Sequence, residues 1–509
     1  MKPSNFFLKN VFRNFSFLTL ALIQISVDGQ VIDKYGQYIN ENWTGKVTSD
    51  RQLQIEYIAE NNDLINIRLD STAFDQYGGI KDGDQRSATG FFRTEKIHGI
   101  WWLITPDGYK FLLKGIDELT YKGYANSTDA SNTSKFQQLP SKTTYADAWN
   151  YNQVNFNTAN IMKKYGRNWK SKWRDLMKHR LLSWGFNAVA KWDFDPALGL
   201  PYIVGLGIDG AKWITSYSND PYDTNFQVCV ENTNKSKLSN SKNDKWIIGY
   251  FIENEGGWND STIQVLLQMD HNLAAKRAFI DFELSRYNNS INNLNSLFGT
   301  NALSESALKD MPINANKVPS ADKKAFIKDA SKQYYSKVRY VIKQNDPNHL
   351  FLGSSVVPYW QSNIEWALGG AQYLDALSYD YYLHDTQPIQ DYECDKPLMN
   401  LELSYGCDGR GLIAYPPSCN SFSDRGEIYS NMIEDMFSHP SFVGMGWFVL
   451  YDEPITGRPG DGEHYQEGLL NVVDQPYMGL LNRVQISNVK LWDIHKAALP
   501  YSTTQNQHY

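Results

Sequence analysis

The chain has 509 residues, with 49 Lys and Arg against 56 Asp and Glu, for a formal net charge of −7. That balance offers no basic field for a phosphate backbone and argues against a nucleic-acid partner, while the length suits one large barrel domain with an appendage. Aromatic residues make up 14%, including 15 Trp and 32 Tyr; most are read as core packing and a minority as a sugar-binding surface.

In chain order, Lys2, Lys9 and Arg13 precede an apolar run over 15–27 that holds no charge before Asp28. This reads as a secretory signal peptide over residues 1–29, which places the mature protein outside the cytoplasm, secreted or periplasmic. No later stretch approaches the roughly 20 apolar residues of a membrane span. Between 30 and 95, Gln52-Leu-Gln-Ile-Glu-Tyr-Ile58 and Leu64-Ile-Asn-Ile-Arg-Leu69 alternate at the period of half-buried strands, so a small β-rich appendage is expected. From residue 96 to 509 strand and helix signals alternate as in a parallel sheet covered by helices. Strands are predicted at 111–116, 186–191, 202–204, 246–252, 350–354, 376–381, 398–401 and 442–448, which makes the fold class an α/β (β/α)8 TIM barrel. Phe326, Ala330, Tyr334, Val338 and Val341 recur at helical spacing and predict an outer helix over 323–343.

Two of these strands end in glutamate followed by turn residues. One is Trp246-Ile-Ile-Gly-Tyr-Phe-Ile-Glu-Asn-Glu-Gly-Gly-Trp258, ending at Glu255; the other is Lys396-Pro-Leu-Met-Asn-Leu-Glu-Leu-Ser-Tyr-Gly406, carrying Glu402. The C-terminal end of barrel strands is where catalytic side chains sit. A pair of carboxylates is also what cleavage of a glycosidic bond requires, one to protonate the leaving oxygen and one to attack or to activate water. Other polar and aromatic residues at strand ends join the candidate site. Tyr382, after the sixth strand, is placed to donate to Glu402. Arg458, Asp461, Glu463 and His464 form a polar run able to grip hydroxyls or to pair among themselves, and Trp192 and Asp193 follow the second strand. No CxxC pair or His cluster is present, so no metal and no cofactor are expected. Cys229, Cys394, Cys407 and Cys419 allow three complete pairings. A bridge between Cys407 and Cys419, which share one loop at the catalytic end, is favoured, with free thiols as the alternative.

Gly249-Tyr-Phe-Ile-Glu-Asn-Glu255 resembles the Gly-Tyr-Phe-x-Asp-Asn-Glu segment of glycoside hydrolase family 50, the β-agarase family of the retaining (β/α)8 clan. Here Glu253 replaces the usual Asp. Pro397 with Glu402, Gly406 and Arg410-Gly411 resembles that family's nucleophile region, with Leu403-Ser404 in place of its Phe-His. Ala88-Thr-Gly-Phe-Phe-Arg93, Gly99-Ile-Trp-Trp-Leu-Ile-Thr-Pro-Asp-Gly108 and Val443-Gly-Met-Gly-Trp-Phe448 extend the likeness over roughly 75–495, in order. The resemblance implies Glu255 as acid/base, Glu402 as nucleophile, Asn254 on the sugar 2-hydroxyl, Trp447 as the floor of the central subsite, and retention of configuration. It implies a β-linked galactan as substrate, agarose first. A β-galactosidase or another galactan hydrolase of the clan is the alternative activity, and an inactive carbohydrate-binding barrel is the alternative of a different class.

Overall fold

A computed structural model describes residues 29–358, 364–384, 394–415 and 419–499; the expected signal peptide therefore lies outside the described residues, apart from Gly29. The barrel strands are β1 (Leu113–Ile116), β2 (Ala188–Val189), β3 (Tyr202–Leu206), β4 (Ile247–Ile252), β5 (Leu350–Phe351), β6 (Leu377–Asp380), β7 (Leu398–Leu403) and β8 (Phe442–Trp447). Each falls at one of the eight expected places. Every neighbouring pair is parallel, in the order β5-β4-β3-β2-β1-β8-β7-β6. The ring closes where Ser378 N donates to Leu352 O and Val356 N to Ser378 O. This is a TIM barrel.

Inside the ring, Leu113, Ala188, Ala190, Ile203, Ile248, Phe251, Leu350, Met399, Leu401 and Val443 form one buried cluster. Gly446 makes room for it: a Cβ there would strike the backbone oxygen of Leu401 and the Cβ of Ala190, so only glycine lets β8 lie this close. Outside the ring, the helix expected at 323–343 runs from Ser320 to Asn345, with Phe326, Ala330, Tyr334, Val338 and Val341 all buried.

The N-terminal segment departs from expectation. Gln52-Leu-Gln-Ile-Glu-Tyr-Ile58 is not a strand; it belongs to helix α1 (Asp50–Leu64), whose first turn is capped by Ser49 accepting from Gln52 N. The apparent alternation failed because Ile55 and Ile58 point to solvent, while Leu53, Tyr57 and Leu64 make the contacts, at helical spacing. Tyr57 packs on Tyr165 at 4.7 Å between ring centroids. The β-structure of this end is instead an antiparallel sheet of Arg93–Ile97, Ile100–Ile104 and Lys110–Phe111.

Helix α1 is fastened to the barrel by buried charge. Arg180 donates to Glu60 of α1 at 2.7 Å and to Asp474 at 2.8 Å, and Lys164 reaches Asp474 at 2.9 Å. Burial works against a charged Asp474, but Arg180 and Lys164 outweigh it and hold that carboxyl well below the ordinary range. Among the described residues no helix is long and apolar enough to cross a membrane.

Candidate active site

A cleft of about 580 Å³ opens at the C-terminal ends of the strands, lined by Glu255, Glu402, Asn254, Trp192, Asp193 and Tyr382, with Glu118, Tyr124, Phe448, Arg458, Glu463 and Glu467 around them. Three of these residues, Glu118 (φ +48°), Trp192 (φ +66°) and Glu255 (φ +56°), are non-glycine residues in the left-handed region. Each such conformation costs about 1 kcal/mol or more and persists where the surroundings impose it, commonly at functional sites. All three lie just past a strand end, where the chain must turn its side chain into the mouth.

Glu402 sits on β7, buried, and receives three donors: Lys191 Nζ at 2.7 Å and Trp192 Nε1 at 2.9 Å on Oε1, and Tyr382 OH at 2.7 Å on Oε2. Carboxylate oxygens of Glu255, Asp380 and Glu402 all lie within 4.8 Å of one another. Lys191 binds this group together, since its ammonium also reaches Asp380 at 2.6 Å and Asn254 Oδ1 at 2.6 Å. Three such acids could hold a hard cation, but the Lys191 ammonium already stands against two of them.

Burial opposes the charge on Lys191, yet Asp380, Glu402 and Asp117 outweigh it and raise its pKa. Burial first, and then the charge of Glu402, push Asp380 and Asp117 well above the usual carboxylate range, with Lys191 offsetting part of the rise. One ammonium cannot offset every acid in this mouth, so burial and the charge of Glu402 still disfavour the charged forms of Asp380 and Asp117. Burial pushes Glu118 up to about 7, and burial together with Glu453 raises Glu467 well above its ordinary value.

The remaining expectations separate into those inside and outside the cleft. Arg458 and Glu463 line it, but Arg458 is engaged by Glu453 at 2.9 Å and Asp461 at 3.0 Å as well as by Glu463. Asp461 and His464 are not among the cleft-lining residues; Asp461 faces solvent as a partner of Arg458. Trp447 is a correction. It is fully buried, donates from Nε1 to Glu467 O at 2.9 Å and packs on Tyr405 and Tyr429, so the aromatic that faces the cleft at the end of β8 is its neighbour Phe448. A strand's alternation puts consecutive side chains on opposite faces, and here the indole turned outward, onto Tyr429 of the helix Phe422–Ser438. Cys407 and Cys419 are paired by a backbone bridge with their thiols in hydrogen-bonding reach, but both are free thiols in this structure; closing the disulfide would take an oxidant and stays a proposal.

Glu253, the departure from the family's Asp, is structural: its Oε2 accepts from Asn219 Nδ2 at 2.7 Å and Tyr334 OH at 2.8 Å, tying the end of β4 to the helix behind it. Lys191, Asp117, Glu118, Asp380, Glu453 and Glu467 were not singled out from the sequence. The available signal was a charged residue closing or following an apolar strand, which Lys191, Asp117 and Asp380 all satisfy.

No family model matches the chain. It is 30% identical to β-agarase B of Vibrio sp. (strain JT0107) over 90% of its own length and 54% of that protein. The solved structure of PfGH50B superposes with a TM-score of 0.83 at 26% identity, covering 92% of this chain and 75% of that one. The chain is a homologue of these β-agarases over about nine-tenths of its length. An exo-β-agarase structure gives the same picture, with a TM-score of 0.82 and 25% identity over 92% of this chain and 74% of the other. The chain spans about half the length of the curated β-agarases it matches.

If Lys191 holds Glu402 and Asn254 in place, then Lys191→Met should lower kcat/KM by roughly 10²-fold, the scale of losing one oriented charge from an active site, with the melting temperature little changed. Lys191→Arg should restore part of the rate. A loss of rate that only follows a large drop in melting temperature would mean that the lysine only supports the fold.

Proposed function

We propose that this chain is a secreted or periplasmic retaining β-glycoside hydrolase that cleaves a β-linked galactan, agarose or agaro-oligosaccharides first. The observation that carries the reading is the approach of the Glu255 and Glu402 carboxylate oxygens to within 4.8 Å. Retaining enzymes hold the two carboxyls about 5 to 5.5 Å apart, and inverting enzymes about 6.5 to 9.5 Å so that water fits between nucleophile and sugar. The family supports the galactan, and the basic-then-apolar leader supports export.

In the first step an oxygen of Glu402 attacks the anomeric carbon. The bond to the leaving oxygen breaks with its electron pair, and Glu255 gives that oxygen its proton. In the second step the Glu255 carboxylate takes a proton from water as the water oxygen attacks the same carbon, which frees Glu402 and regenerates the acid. Two displacements restore the β configuration. Lys191, Trp192 and Tyr382 all donate to Glu402 and fix the orientation of its carboxyl.

Hydrolysis of agarose, porphyran, carrageenan and a chromogenic β-galactoside, with products sized, tests the substrate. Release of soluble sugar from agarose is expected. Cleavage of the aryl galactoside alone would favour the β-galactosidase alternative, and no cleavage of any with retained oligosaccharide binding would favour the inactive barrel. Proton NMR in the first minutes, before mutarotation, should show the β anomer first; initial α anomer would mean inversion and remove the nucleophile role from Glu402.

A further inference from the structure

At the opposite end of the barrel, where the strands begin, a second cavity of about 360 Å³ lies between the start of β1, helix α2 (Trp169–Trp184), helix α3 (Met478–Lys496) and the loop before the antiparallel sheet. Its walls are mostly apolar, with Phe74, Leu200, Pro201, Val489 and Trp492 among them. Its size is within the range of about 300 to 1,000 Å³ typical of small-molecule sites. Val489 is 68% exposed and stands where the cavity meets solvent.

One side chain in this wall is out of keeping with the rest. Lys114 on β1 is buried, 6% exposed, and among the described residues its Nζ donates only to Asn488 O, at 3.1 Å. Its ammonium also stands 5.7 Å from the centroid of Trp492. An ammonium carries three donors and a full charge, and buried charges are ordinarily paired. The side-chain amides in this wall already have partners, and Gln76 donates to Asp107 Oδ2 at 3.0 Å. Asn187 accepts from Lys114 N and donates to Leu112 O, and Asn488 donates to Trp184 O and accepts from Tyr429 OH.

Among the described residues no acid lines the cavity, and the one other ionisable group in its wall is Tyr77, whose phenol burial pushes up. Asp75, on the adjoining loop, is taken by Thr105 OH and the backbone of Tyr77 and Gly79. Burial alone, with no neighbouring charge, pushes Lys114 down to about 8.

We infer that this cavity is a second binding site, separate from the catalytic cleft, for a small organic monoanion with a flat apolar body and a carboxylate seated on Lys114. The carboxylate supplies the countercharge that the protein omits, and the body fills the apolar volume beside Trp492. The inference stands on the cavity and its lone ammonium and is independent of the glycosidase reading.

Calorimetry with 2-naphthoate, and with its neutral isostere 2-naphthamide, tests it on the full chain. Naphthoate should bind one to one, at least about tenfold more tightly than the amide, on the scale of one charge-assisted contact. Lys114→Met, which keeps the stem and removes the charge, should erase that preference. If that variant does not fold, Val489→Trp, at the exposed mouth, should weaken both ligands. Binding near pH 8.5 should take up a proton, since the carboxylate favours the charged amine, whereas binding at pH 6.5 should not. Glu402→Gln should leave all of this unchanged, and agaro-oligosaccharides should not compete. Equal affinity for acid and amide, a Lys114→Met variant that binds like the parent, or competition by the oligosaccharide would each overturn the site.

Discussion

Glu402→Gln is expected to lower kcat by on the order of 10⁴-fold or more, as when the attacking group of a covalent mechanism is removed, with melting temperature and oligosaccharide affinity nearly unchanged. The substitution keeps the volume and the hydrogen-bond positions but not the charge. Lys191 and Trp192 can only donate, so the new amide must turn its oxygen toward them, at the place where Oε1 now accepts bonds of 2.7 and 2.9 Å. Its NH2 then faces Tyr382, whose hydroxyl reverses from donor to acceptor. The pocket thus absorbs the amide with one hydroxyl rotation, and what is lost is the nucleophile. Rates on agaro-oligosaccharides, thermal melting and calorimetric binding measure the three quantities. Parent-like turnover would sink the assignment. Glu402→Gly opens room for azide, and on an activated aryl glycoside azide should attack from the vacated side and yield the α-glycosyl azide.

The barrel was legible because its strands are buried on both faces and read as short apolar runs between turn signals, as in Ile247–Ile252 and Phe442–Trp447. The two glutamates were legible for the same reason: a carboxylate that closes such a run can lie only at its end. Helix α1 was not, because a half-exposed surface helix shows little periodicity. Of its residues only Leu53 is buried, and the exposed isoleucines imitated a strand. Lys191 was overlooked although it closes the second predicted strand, since a lone lysine there reads equally well as a solvated end. What makes it part of the site is its long-range contacts with Asp380, Glu402 and Asn254, which nothing in its own neighbourhood foretells. Glu453, Glu467 and Arg458 come from the loop after β8, and their convergence depends on how that loop folds back over the mouth. Trp447 shows the reverse difficulty: the residue type was right for a sugar platform, and strand alternation sent it into the core.

Glu255→Gln should divide substrates by their leaving group. Agaro-oligosaccharides expel a poor alkoxide and need the proton, so their turnover should fall by about 10² to 10⁴-fold, the usual worth of a general acid. An aryl galactoside with an acidic phenol leaves unaided, and its first step should slow little. The second step then limits the reaction, because the same carboxylate must activate water, and a glycosyl group should accumulate on Glu402 where intact-mass spectrometry can detect it. Azide needs no general base and should restore turnover of the aryl substrate, giving the β-glycosyl azide. That stereochemistry is opposite to the product expected from Glu402→Gly, so the two variants together identify which carboxylate faces which side of the sugar. Equal losses on both substrates, without accumulation and without azide rescue, would leave Glu255 as a structural acid in the mouth and require the proton to come from elsewhere; Glu118, which lines the same cleft and is pushed up to about 7, would be the next residue to replace.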